Sequence, residues 1–292
     1  MIFRFFLFSL ILFVLFIACE DEYYRPTDSG NGEEPEKNFI ETNISLSPDR
    51  QYIYFSVRDT IDGLNSGLYK ASVTHPVREK VYGGENYYSP TINFDNQILA
   101  YLFEGRIHYY DIDNDTLKNS GIIGEFESIL YVNQDVLMAA RNDSLFLTNE
   151  IDSSYQYLRD GRDPTLVAAN TFLFFASLDN YTFHMLKDNL EESNPDTLFT
   201  IITAAFPHWP TLHPASGHLA YGIELWDQKF IYSGTANVTP PAGTPLTFID
   251  SSEYSKPYIL NENQIIFTGP DGSLYQSDFE GNNSVPFAPT GN

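Results

Sequence analysis

The sequence has a single cysteine, Cys19, among 292 residues, so no disulfide can brace the chain from within. Basic residues are scarce: 16 Lys and Arg stand against 39 Asp and Glu, a formal charge of −23. Such a surface repels phosphate backbones, which argues against nucleic acid as a partner, and by itself it signals only a soluble, self-repelling exterior. Apolar residues at helical spacing are missing from every long stretch, and no apolar run reaches the roughly 20 residues that a membrane-spanning helix needs. What is plentiful is aromatic. The chain holds 20 Tyr and 23 Phe, in runs with Ile and Val that are bounded by Asp, Asn, Gly and Pro. Such runs read as antiparallel strands joined by tight turns, and the length permits one large all-β domain.

The chain divides into residues 1–18, 19–38 and 39–292. Arg4 and an apolar run of about 13 residues, Phe5 to Ile17, suit a secretory signal peptide. The run closes on Phe16, Ile17, Ala18 and Cys19. This resembles the bacterial lipobox, with Phe16 where Leu is usual. The resemblance implies a mature protein that starts at an acylated Cys19 and is held in a membrane leaflet, which accounts for a lone thiol in an exported protein. Glu20, Asp21 and Glu22 follow at once. That cluster is similar to the signal that sends lipoproteins to the surface of some Gram-negative bacteria, and equally to an ordinary acidic tether. Residues 19–38 are too poor in aliphatics to order themselves and are expected to form a flexible tether with a reach of roughly 25 Å. Outer membrane or cell surface is the expected location.

From Phe39 onward one plan repeats. The stretch from Leu46 to Val73 contains an Asp-bearing turn at Ser47 to Arg50, a strand from Tyr52 to Val57, a polar loop, and a strand from Leu68 to Val73. Anchors equivalent to Ile44 recur at Pro90, Ser128, Pro164, Pro210 and Pro257, so six units follow one another. Fourth strands are expected at 78–82, 121–123, 155–158, 197–203, 246–249 and 285–288. Four antiparallel strands per repeat make a propeller blade, whose two apolar faces are covered when blades stack radially. The expectation is an all-β, six-bladed β-propeller, closed either by a strand at 39–42 or by contact between the first and last blades.

The segment Leu46-Ser47-Pro48-Asp49-Arg50-Gln51-Tyr52-Ile53-Tyr54-Phe55, followed by Gly67-Leu68-Tyr69, resembles the TolB-like, WD40-like propeller repeat. Leu212-His213-Pro214 and Gly272-Ser273-Leu274-Tyr275 echo it. Arg50 departs from the usual glycine, and most units lack the Ser-Pro-Asp core. The resemblance implies the fold and an extracytoplasmic binding scaffold.

Catalytic motifs are thin. Asp111, Asp113 and Asp115 alternate as in calcium loops, but without the central Gly or the closing Glu they read as a solvated turn. His208, His213 and His218 recur every fifth residue, which fits no common strand or helix face for a metal. No GxSxG elbow and no sialidase Asp-box occurs, and no carboxylate pair stands out in so acidic a chain. No cofactor is called for. The expected function is a non-catalytic module for a protein or glycan partner; the alternative is a glycan hydrolase or lyase working in the central channel. In such propellers the connections entering first strands share a rim with those between second and third strands. Trp209 and Trp226 fall in these connections of the fifth unit and are expected to share a face, with Tyr87, Tyr88, Arg162, Phe206, His208 and Tyr254 around it. For Trp209 a wedge between blades is the competing expectation.

Overall fold

The structure, a computed structural model, describes residues 39–149, 154–192, 194–203, 206–225, 228–235, 244–248, 257–269, 271–279, 281 and 284–287. Cys19, Trp226 and Tyr254 lie outside them. Six four-stranded antiparallel sheets run in simple meander order. Blade one is β1 (Phe39–Leu46), β2 (Tyr52–Asp59), β3 (Gly67–Ser72) and β4 (Glu79–Gly83), and blade two is β5 (Tyr87–Ile92), β6 (Ile98–Phe103), β7 (Arg106–Asp111) and β8 (Thr116–Ile123). Blade three is β9 (Ser128–Tyr131), β10 (Leu137–Arg141), β11 (Ser144–Thr148) and β12 (Gln156–Asp160). Blade four is β13 (Arg162–Ala168), β14 (Thr171–Ser177), β15 (Thr182–Asn189) and β16 (Asp196–Ile202). Blade five is β17 (Phe206–Leu212), β18 (His218–Leu225), β19 (Gln228–Thr235) and β20 (Thr244–Phe248), and blade six is β21 (Tyr258–Asn261), β22 (Gln264–Thr268), β23 (Leu274–Ser277) and β24 (Val285–Pro286). The chain is a six-bladed β-propeller. All six expected fourth strands are present, although β8 begins at Thr116 rather than at 121.

The second strands explain why the sequence shows apolar runs instead of clean alternation. On β14, Phe172 and Phe174 face the core shared with blade three, while Leu173 and Phe175 face the core shared with blade five. On β6, Ile98, Ala100 and Leu102 serve one interface and Leu99 and Tyr101 the other. A sheet covered on both sides needs apolar side chains at consecutive positions. An apolar core fills each of the six interfaces between neighbouring blades.

First strands of adjacent blades touch one another around the axis, β21 reaching β1. Each of β1, β5, β13 and β17 carries a bulge whose first residue is left-handed: Asn43 (φ 56°), Ser89 (51°), Asp163 (51°) and Trp209 (50°). The expected anchors Ile44, Pro90, Pro164 and Pro210 come next in sequence. After them stand the buried hydroxyls of Ser45, Thr91, Thr165 and Thr211. Thr91 Oγ1 accepts the Tyr131 N–H at 3.1 Å and Thr211 Oγ1 the Ile259 N–H at 3.5 Å. On β5 and β17 the bulge thereby turns a hydroxyl toward the neighbouring inner strand edge, which would otherwise be left unpaired there.

Of the two modes of closure left open by the sequence, the second holds: β1 pairs with β2, and the ring closes by contact. The Glu41 N–H donates to the Gly272 carbonyl at 2.7 Å, and Thr268 Oγ1 donates to the Glu41 carbonyl at 2.7 Å. The Glu41 carboxylate, 1% exposed, accepts the Leu274 N–H at 2.8 Å and Arg78 Nε at 2.5 Å.

Candidate binding rim

The meander fixes two rims. Connections between blades and turns from second to third strands form the upper rim; the other turns form the lower one. Arg162 starts β13 on the upper rim, with its guanidinium carbon 5.2 Å from the Phe183 ring centre and 4.9 Å from that of Phe206. The two rings meet edge to face at 5.7 Å. Arg162 Nη1 also lies 3.7 Å from Asp143 Oδ1, so one mostly buried cation ties together blades three, four and five. Cation–π contacts of this kind contribute about 1 kcal/mol each.

Several large apolar side chains of blade four, and Phe206, are exposed at this rim. Ile202 is 80% exposed, Leu178 65%, Tyr181 61% and Phe206 53%. Leu178, Tyr181 and Ile202 stand at the upper end of blade four, where the Leu178 N–H donates to the Thr182 carbonyl at 2.9 Å, the Thr203 N–H donates to the Tyr181 carbonyl at 2.8 Å and Ile202 pairs with Thr182, while Phe206 at the start of blade five packs on Phe183. The turn that presents Leu178 and Tyr181 is held by the Tyr181 N–H donating to Asp179 Oδ1 at 2.8 Å; this bond holds the Asp179 carboxyl below its usual range.

Of the residues expected at this rim, Arg162, Phe206, His208 and Trp209 come together. His208 Nδ1 lies 2.8 Å from Asp163 Oδ2, a bond from blade five to blade four, and its ring is 4.9 Å from that of Trp209. Trp209 is half-buried against Gly222 of β18, where an added Cβ would lie 3.1 Å from the indole. Tyr87 and Tyr88 sit on the same rim between other blades. Tyr87 packs on Tyr82, Tyr101 and Phe103 at the first interface, and the Tyr88 hydroxyl accepts the Gly105 N–H while donating to the Phe126 carbonyl. Sequence reasoning missed Leu178, Tyr181, Phe183 and Ile202. Leu178 and Tyr181 carried a faint signal as apolar residues flanking the polar tip Asp179-Asn180.

The central channel offers less. A cavity of about 20 Å³, room for a single water, is lined by Leu46, Ser47, Pro48, Arg50, Leu130, Leu166, Val167, Thr211 and Tyr258. Arg50 is its one charged group, and burial pushes the guanidinium pKa down. Arg50 Nη2 donates to the Ile259 carbonyl and, at 3.4 Å, to that of Leu260. The three histidines diverge. His208 is on the upper rim, whereas His213 bonds Ser216 in the lower turn and His218 lies 2.9 Å from the Glu262 carbonyl. Asp111 caps its own turn by accepting the Asn114 N–H at 3.0 Å. Among the described residues no group of three or more His, Cys, Asp or Glu could hold a metal ion, and no helix is long and apolar enough to cross a membrane.

No family model matches the chain, and no curated protein matches it. Among solved structures it is similar to TolB from Acinetobacter baumannii, with a TM-score of 0.50 and 13% identity over 68% of this chain and 52% of that one. The chain thus spans about half the length of that TolB. It is also similar to a hydrazine synthase chain from Kuenenia stuttgartiensis (TM-score 0.53, 9% identity, 88% and 81% covered). A chain of a nidogen/laminin complex gives a TM-score of 0.54 at 8% identity, with 86% and 93% covered. At such identities the likeness is one of fold alone, that of a β-propeller.

Proposed function

We propose that the chain is a lipid-anchored binding or assembly module of a bacterial cell envelope, held at the outer membrane or cell surface through Cys19. Residues 1–18 act as its lipoprotein signal and 19–38 as its tether. The upper rim at blades four and five docks a protein or glycan partner, and Trp226 and Tyr254 contribute to the same face. One observation carries this reading. Leu178, Tyr181, Ile202 and Phe206 stand exposed at the upper ends of blades four and five, and the Arg162 cation packs against Phe206. Such a patch on a soluble fold marks an interaction site, and rigid support beneath it lowers the ordering cost of binding. A channel glycosidase finds less support, because the described channel cavity is lined by no carboxylate.

The test is a pull-down from detergent-solubilised envelope with the full-length chain and with an Ile202→Ser, Tyr181→Ser double variant. The expected result is a defined partner retained by the wild type and lost by the variant. Equal capture by both would remove the docking face from blades four and five.

A further inference from the structure

We propose that the patch on blades four and five takes a cationic, amphipathic protein segment in which Lys or Arg alternates with apolar side chains; this rests on the reading of that rim as the docking face. The apolar side chains Leu178, Tyr181 and Ile202 at the upper end of blade four and Phe206 at the start of blade five expose on the order of 500 Å² in all. Around them the outward charge is negative. Asp143, Asp160 and Asp179 are exposed, and the Gly161 N–H donates to the Asp143 carbonyl, which brings the first two together beside Arg162. The positive charge points inward: the Arg162 side chain is 14% exposed and engaged with two rings and Asp143. Asp179 stays ionised because a backbone N–H is bonded to its carboxylate.

The complement of apolar tips set among carboxylates is apolar side chains set among ammonium or guanidinium groups. A glycan fits less well, because Leu178 and Ile202 give it no hydrogen bond. An anionic lipid surface is repelled by the carboxylates, and the chain's charge of −23 adds to that repulsion.

A random dodecapeptide library is selected on the full-length chain in detergent micelles and depleted on the Ile202→Ser, Tyr181→Ser double variant. Peptides that survive are expected to alternate Lys or Arg with apolar residues. A synthetic representative should bind the double variant about tenfold more weakly. To Asp179→Asn, which keeps the turn's hydrogen bond but removes its charge, it should bind about threefold more weakly, with a shallower salt dependence. Both variants are checked for wild-type melting. Survivors that are neutral or acidic, or a library with no patch-dependent survivor, would overturn the inference. So would patch-dependent binding of phosphatidylethanolamine/phosphatidylglycerol vesicles without peptide binding, which assigns the face to lipid. If the double variant loses its envelope partner while the selected peptides are neutral, only the charge inference fails; if it keeps that partner, the docking face fails as well.

Discussion

On the lower rim, side chains of neighbouring turns bond from blade to blade; on the upper rim, several large apolar side chains stand exposed among carboxylates. Asn96 Nδ2 donates to Asp49 Oδ2 at 3.0 Å, the Asp95 N–H to Gln134 Oε1 at 3.0 Å, and Asn133 Nδ2 to Asn170 Oδ1 at 2.7 Å. His218 and Arg50 extend this pattern onto blade six. Val77, Leu117 and Val285 are exposed toward the lower rim, while Ile61, Leu64, Leu178, Tyr181, Ile202 and Phe206 stand on the upper one. The same β-meander thus ties lower-rim turns of neighbouring blades together by side-chain bonds and exposes large apolar side chains on the upper rim. The upper-rim side chains that bridge blades at Glu41, at Arg162 and between His208 and Asp163 are mostly buried rather than displayed.

Removing the sixth blade should have the largest effect. Without residues 253–292 the core shared by Phe55, Tyr258 and Leu274 is opened, and cooperative unfolding of the whole ring should be lost. A stable, monomeric truncation with one sharp thermal transition would argue against ring closure as the source of cooperativity. Next comes Glu41→Ala, which leaves Arg78 and the Leu274 N–H without their buried acceptor and should cost about 3 kcal/mol in urea denaturation. A loss under 1 kcal/mol would place the strength of the closure in its apolar core alone.

Arg50→Gly tests the lower rim with opposing terms. Glycine relieves a left-handed residue (φ 59°), a gain of about 1 kcal/mol, but loses charged hydrogen bonds to blade six, a loss of about 2 kcal/mol. The net expectation is about 1 kcal/mol of destabilisation in the same assay, and a more stable variant would contradict the bridging role.

A smaller effect is expected from His213. Burial, then the nearby charge of Arg50, holds its pKa below the ordinary value, and its Nδ1 accepts the Ser216 N–H at 3.2 Å. The unfolded chain therefore takes up the proton first. Stability should decline as pH falls below about 6.5 and level off once the pH is under the folded pKa. Thermal melts at pH 7.5 and 5.5 should show this decline in the wild type and less of it in His213→Gln. Equal slopes would assign the decline to other groups. The smallest stability change belongs to the upper rim: Ile202→Ser should stay within about 0.5 kcal/mol of wild type while binding is lost, and a large destabilisation would show that Ile202 serves the fold.

The architecture was legible because its markers are local. Pro90, Pro164 and Pro210 mark inner-strand bulges, and Asn and Asp mark turns whose side chains hold the backbone, as Asn93 Oδ1 does for the N–H groups of Gln97 and Ile98. Arg50 looked like a departure from the repeat, and its reason lies 209 positions away in blade six, where no local pattern could reveal it. The binding rim was only half legible. Phe206 and Arg162 stood out by residue type, but Leu178 and Ile202 read like any apolar residue near a strand end. Their exposure depends on how the blades fit together. The start of β8 was missed for the converse reason: Thr116, Leu117 and Lys118 form an outer strand exposed to solvent, so no apolar alternation announces it.

The place where the ring closes is also where the preceding chain joins it. A pull delivered through residue 38 enters the propeller at Phe39, two positions before Glu41, and runs along β1 instead of across it. The ladder to β2, the Gly272 and Thr268 bonds and the Arg78 ion pair are then loaded together in shear, not peeled one at a time. A domain towed from this point should resist mechanical extraction far better than one towed from β24, whose two residues, Val285–Pro286, can be unzipped from β23 alone.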